Sequence, residues 1–373
     1  MFDRLQRVTG IMAPSSRTTG ASDRDLSLDF AKGALIGLVI VGHLIQYVIY
    51  RDGGFWYSPY YKAIYMFHMP LFMAISGYLS SRSLLQKSFT QAAIARATQL
   101  LLPMLFWWAL METAKSAALW RATSLTTGLL EFVDDLAGTY WFIWATFVSY
   151  LLIKILTRLS HRSLVISGSA ILIALVPLTF SISPLIRFTY PFFCLGFLFA
   201  QSNERWTTTS RSHKPLLILI LSVLTCVCFV AWGKDTYVYN NLGLIHDFRS
   251  AKDVLLMFVG AAAASAIAIE LLLQCWRFSH STRIARFIAM ELGQTTLLLY
   301  LVQGTVFRLM DFIQLGELWD LTSRLIIAGL LGAAIVAIAL VVRSTVRGVP
   351  YLSQLVLGMP PRSGLPRVKP AMN

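Results

Sequence analysis

Apolar and polar positions in this chain alternate on the scale of whole helices rather than single turns. Apolar stretches of spanning length recur about ten times, near residues 29–50, 60–80, 94–114, 139–157, 163–182, 184–201, 214–233, 251–273, 287–309 and 322–343, separated by short polar connections. About twenty helical residues cover roughly 30 Å, the hydrocarbon thickness of a bilayer. The pattern therefore predicts an all-α fold, a polytopic membrane bundle of about ten transmembrane helices. The fifth and sixth stretches are the least sharply separated, because Pro177 and Pro184 punctuate one long apolar region. Residues 1–27 read as a flexible basic tail, 28–345 as the ten-helix membrane domain, and 346–373 as a loose, Pro-rich basic tail. No apolar core precedes residue 28, so no cleavable signal peptide is expected and the first span directs insertion.

Composition sharpens this class. Hydrophobic residues make up 56% of the 373 and charged residues 13%, with a mean hydropathy of +0.64. A soluble fold of this length has no interior for so much apolar surface with so few charges. The net charge of +14 raises nucleic acid as a partner. The basic residues instead sit in short clusters between apolar runs, without the interleaved aromatics of a nucleic-acid surface, so none is expected. With the N-terminus inside, the side of the tails holds roughly twice as many Lys and Arg as the other side, which predicts two cytoplasmic termini. Cys194, Cys226, Cys228 and Cys275 fall within or beside apolar stretches, in no metal-ligand spacing. They read as packing residues, and no metal is expected.

The first stretch carries the candidate chemistry. Within Leu28-Asp-Phe-Ala-Lys-Gly-Ala-Leu-Ile-Gly-Leu-Val-Ile-Val-Gly-His43 stand Asp29, Lys32 and His43. Eleven positions at about 100° each bring Lys32 and His43 onto one helix face, about 16 Å apart. A terminal lysine can snorkel and a lone histidine can be a satisfied core residue. The pair on one stripe, with Asp29 a turn before Lys32, points instead to a wet passage through the protein. A cation at one mouth and an imidazole deeper in suit a long anionic substrate such as acyl-coenzyme A. The imidazole can act as general base or as nucleophile through an acyl-His, and the sequence leaves both open.

The second stretch holds His68, Pro70 and Ser76-Gly77-Tyr78-Leu79. His68 falls on the level expected for His43 and either orients that imidazole or holds an acceptor sugar, while Ser76-Gly77 reads first as a helix-packing notch. Trp141, within Tyr140-Trp141-Phe142, is either part of an interfacial aromatic belt or a substrate contact. Arg187 either snorkels at a helix end or binds an oxyanion or sugar hydroxyl.

Three features together resemble the acyltransferase-3 family of integral-membrane O-acyltransferases, especially its sugar O-acetylating members. They are the basic residue, ten intervening residues and His43; the Met69-Pro-Leu-Phe segment followed by Ser76-Gly-Tyr-Leu79; and, more weakly, the stretches around Trp141, Arg187 and Leu292–Gln303. The chain departs from the family pattern with Lys32 for the commoner Arg, Thr295 and Thr296 where Ser is usual, and Gln303 where His is frequent. The resemblance implies acyl transfer, usually of acetyl, from cytosolic acyl-coenzyme A to a hydroxyl of a cell-surface glycan or its lipid-linked precursor, at the bacterial inner membrane. Carried over, His43 fills the catalytic position and Lys32 the basic position that binds the donor. Asp29, His68, Trp141 and Arg187 are the candidate substrate-binding residues. The implied partners are acyl-coenzyme A, the glycan acceptor, membrane lipids and polysaccharide-assembly proteins. The competing reading is a transporter or flippase with Asp29, Lys32 and His43 as its proton or substrate path. A proton-coupled carrier needs carboxylates in several mid-spans, whereas Glu112, Glu270 and Glu291 lie towards predicted helix ends.

Overall fold

The computed structural model describes residues 25–359, excluding 51–52, 120–135, 161, 177–180, 242, 244, 246 and 311–319, and only the backbone of 116–119 and 203–212. The tail expected over 1–27 lies almost entirely outside these residues, as does the stretch 360–373. Among the described residues all regular structure is helical. Eight helices are long and apolar enough to cross a membrane, and nine if one bent pair counts as a single span. The chain is a multi-pass membrane protein.

Helix α1 (Leu26–Leu44) starts where the Asp25 carboxylate accepts the Ser27 and Leu28 N–H groups, a side-chain N-cap. It runs straight into a π-helical turn, Ile45–Ile49. The second span is α2 (Pro59–Tyr65) followed by α3 (His68–Gln86). Pro70 has no N–H to offer the preceding turn, and the helix is interrupted at Met66 and Phe67. Then come α4 (Phe89–Leu119), α5 (Trp141–Leu159) and α6 (Ser163–Leu175). The last of these has 13 described residues and is a shorter apolar helix, so it does not count among the eight or nine candidate spans against the ten expected. It stops at Val176, whose ψ of 126° is extended, as Pro177 demands of the residue before it.

Helix α7 (Ser183–Ala231) covers two of the expected stretches without a break in helical backbone. A straight helix of that length would run about 70 Å, yet Phe188 and Trp232, from its two ends, line one small cavity. The segment is therefore not straight, and it supplies two candidate spans, Ser183–Ser202 and His213–Ala231. Helix α8 (Phe248–Ser279) follows, then α9 (Arg283–Phe287), a second π-helical turn at Ile288–Leu292, and α10 (Thr296–Met310). The last three make the bent pair, with an angle of 77°. Arg343 of α11 (Leu321–Val346) braces that bend, donating to the Met290 and Glu291 carbonyls and pairing with the Glu291 carboxylate at 2.7 Å. The chain after residue 346, expected as a loose tail, forms α12 (Pro350–Leu357). It docks on α4 through a hydrogen bond of 3.2 Å from Trp107 to the Val356 carbonyl.

Two backbone crossings set the register of the bundle. A methyl group at Gly77 would strike the Phe193 carbonyl, and one at Gly196 the Ala74 carbonyl, so α3 and α7 touch main chain to main chain. Gly33 and Gly293 do the same for α1 and the second π turn.

Candidate functional site

Two cavities lie along the polar stripe of α1, one at each end. The first, about 450 Å³, is lined by Lys32, Lys87 and Arg96 together with the hydroxyls of Ser76, Ser80 and Thr146. Among the described residues no carboxylate lines it, so its lining charge is positive. Lys32 is held by Asp29, 4% exposed, at 2.9 Å one helical turn away. Arg96 enters from α4, donating to Ser80 at 3.4 Å and Gln99 at 3.0 Å, with its guanidinium 5.2 Å from the Tyr150 ring centre. Lys154, also buried, serves the fold: its ammonium donates to the Leu84 and Lys87 carbonyls, both at 2.6 Å, and closes the C-terminal end of α3.

The second cavity, about 430 Å³, is aromatic. Trp56, Tyr61, Tyr65, Trp141 and Tyr239 form much of its wall, with His43, His68, Gln303 and Arg308 as polar groups. The His43 ring makes edge contacts with Tyr47 and Phe307, centroids 5.9 and 5.4 Å away. Its Nδ1 is buried without a hydrogen-bond partner. His68 is held differently. Its Nδ1 lies 2.8 Å from the Ile64 carbonyl at the helix interruption before Pro70. A carbonyl only accepts, so that nitrogen carries the proton and Nε2 is left as the acceptor. Burial, reinforced by the neighbouring Tyr65, pushes the Tyr239 phenol well above its ordinary range, so it stays a neutral hydroxyl.

The cavities share Val39, Met69 and Tyr300 in their walls. Helix α1 is unbroken from Lys32 to His43, so the two groups lie about 16 Å apart along one face, one in each cavity. Of the other candidates, His68 and Trp141 line the aromatic cavity. Asp29 lines neither cavity and acts on Lys32. Arg187 also lines neither; it is buried in α7 and donates at 3.2 Å to the Ala174 carbonyl, one of those the end of α6 leaves without a helical donor. The Ser76-Gly77 pair divides its labour: Gly77 is the packing notch and Ser76 faces the cationic cavity.

Sequence reading missed three contributors. Arg96 counted only as one more charge near a helix start, because nothing in its own spacing links it to Ser80. The tyrosines from the first span, α2 and the connection after α7 meet only in three dimensions. Helix α10 lines both cavities, with Thr296 at the first and Gln303 and Arg308 at the second. Its neighbour Thr295 donates instead to the Glu291 carbonyl. The departures noted at 296 and 303 therefore fall on the cavity walls, and that is the signal that could have found them. Among the described residues Asp29 is the sole buried carboxylate.

The chain is 54% identical over 375 residues to Nodulation protein NolL of Mesorhizobium japonicum, covering 100% of both chains. It is 56% identical over 349 residues to Nodulation protein NolL of Sinorhizobium fredii, covering 93% of this chain and 95% of that one. No solved structure matches it. The family model of acyltransferase-3, described as an acyltransferase domain, matches residues 25–343, from the Asp25 cap of α1 to Arg343 behind the bent pair. Both cavities lie inside that span, and the chain belongs to the acyltransferase-3 family of membrane acyltransferases.

Proposed function

We propose that this enzyme moves an acetyl group from cytosolic acetyl-coenzyme A to a hydroxyl of an extracytoplasmic glycan or its lipid-linked precursor, from the bacterial cytoplasmic membrane with both termini inside. The observation that carries this reading is the pairing of two unlike cavities across one wall. Lys32, Lys87 and Arg96 give the first cavity three positive charges against the one carboxylate of Asp29, which pairs with Lys32 from outside the lining, and that excess suits the phosphates of coenzyme A. The flat aromatic faces and few polar groups of the second suit a sugar ring, apolar on its faces and hydroxylated at its rim. A thioester arm passing Tyr300 and Met69 would bring the acyl carbonyl to His43. There the imidazole takes the proton of the attacking hydroxyl as the new C–O bond forms. It returns that proton to the thiolate as the C–S bond breaks. The acyl-His route uses the same ring as nucleophile. The relatives' names set them in nodulation, and we assign this chain the same setting.

The test is vectorial. Labelled acetyl-coenzyme A supplied only at the cytoplasmic face of membrane vesicles should yield labelled glycan with the native enzyme. It should yield none with His43→Ala present at equal membrane level. Transfer surviving in purified His43→Ala would remove His43 from the reaction, and label appearing only with donor at the opposite face would reverse the orientation.

A further inference from the structure

Gln303 breaks a rule that buried polar groups normally obey. Its side chain is 0% exposed and lines the aromatic cavity, yet both amide atoms lack a hydrogen-bond partner of standard geometry. The buried Nδ1 of His43 is in the same condition, and the Gln303 amide adjoins the His43 ring. Unpaired buried amides are costly and normally marked by a task. An imidazole base needs a neighbour that decides which ring nitrogen carries the proton, a part commonly played by a carboxylate.

Among the described residues no carboxylate lines the cavity around His43. The titratable and charged groups there are Tyr47 from its own span, Tyr61, Tyr65 and His68 from the second span, Tyr239 from the connection after α7, and Tyr300 and Arg308 from α10. Tyr47 and Phe307 fix the plane of the ring by edge contacts, which leaves the tautomer undetermined.

We propose that Gln303 is a positioning residue for His43: its amide oxygen accepts the imidazole N–H that faces it and leaves the other ring nitrogen as the reactive one. Substrate filling the cavity draws this bond tight, as catalytic hydrogen bonds commonly tighten on binding. A neutral amide sets the tautomer without adding the negative charge that favours imidazolium. This inference rests on the reading of His43 as the reactive group.

The experiment compares purified native enzyme with Gln303→Leu, Gln303→Glu and Gln303→His. It measures kcat and KM for acetyl-coenzyme A across mildly acidic to mildly alkaline pH, with thermal stability alongside. Gln303→Leu should lower kcat by up to about a hundredfold, the scale of a slightly misplaced reacting group, with KM for the donor unchanged. Gln303→His should recover much of that loss. Gln303→Glu should move the acid limb of the kcat/KM profile to higher pH by about one to three units, because a carboxylate favours the charged ring. A folded Gln303→Leu with native kcat, or a folded Gln303→Glu with an unmoved acid limb, overturns the proposal while leaving His43 in place. If Gln303→Leu fails to fold, the limb in Gln303→Glu, which keeps the side-chain shape, decides alone. Full activity of His43→Ala defeats the parent reading instead.

Discussion

Gly33→Ala and Gly37→Ala, one helical turn apart on α1, should have opposite effects. Either substitution removes the entropic penalty of glycine inside a helix, a gain of about 1 kcal/mol. At Gly37 an added methyl meets nothing within 4 Å, so that gain should be kept. At Gly33 it meets the Ile288 carbonyl oxygen and the Gly293 backbone nitrogen. Neither atom is the tip of a flexible side chain, so the helix or the π turn must move bodily. Overpacking of this kind costs about 1–3 kcal/mol. The net expectation is a slightly stabilised Gly37→Ala and a Gly33→Ala destabilised by up to about 2 kcal/mol, so the pair differs by about 1–3 kcal/mol. For a chain of this size that is a separation of about 1–4 °C in midpoint. Thermal unfolding of the two purified variants in one detergent measures it. Gly33 also lies directly after Lys32, so Gly33→Ala should weaken donor use, read as a raised KM for acetyl-coenzyme A. Gly293→Ala, whose methyl meets the Asp29 carbonyl, should reproduce both effects. Equal midpoints and equal KM for Gly33→Ala and Gly37→Ala would refute the claim that the two backbones touch there.

Lys32→Ala should raise KM for acetyl-coenzyme A about tenfold or more, the scale of one lost charge-assisted hydrogen bond, while Lys32→Arg keeps most of the affinity; steady-state kinetics on both decide it, and equal losses would deny Lys32 a charge-binding role. Arg343→Leu should destabilise the protein by about 2 kcal/mol, because it strips the bend of donors to two carbonyls and a carboxylate. Thermal unfolding checks this, and an unchanged midpoint would show that the bend needs no brace from α11.

The membrane architecture was legible because its signal is local. Each expected stretch from 29–50 to 322–343 recurs as a helix or part of one, and the stripe joining Lys32 to His43 is periodic along a single element. What stayed hidden depends on how elements meet. The ending of α6 was announced by Pro177, yet the length of the helix before it, 13 residues, needed the backbone to show it. Asp29 and Arg187 were candidates for substrate binding, and the contacts each makes within the protein, to Lys32 and to the Ala174 carbonyl, are set by how helices end and turn rather than by residue type. Arg96 and Tyr239 reach the cavities from elements far apart in the chain, and no spacing rule connects residues on different helices.

A helix whose two ends carry different chemistry has to be fixed in rotation and in height, since a drift of one residue turns its stripe by about 100°. The packing of α1 supplies both constraints at the places where they act. Near Lys32 the contact of Gly33 and Gly293 locks height, because backbone atoms cannot rotate out of the way. Near His43 the ring is held between Tyr47, one turn on in the π-helical segment, and Phe307 of α10, with those two stacked on each other at 5.4 Å. Tyr47 stands four residues after His43, the spacing that places two side chains on one helix face, so the stripe that joins Lys32 to His43 also carries its own buttress one turn further on. The Lys32 end of α1 is thus fixed through backbone and its His43 end through rings.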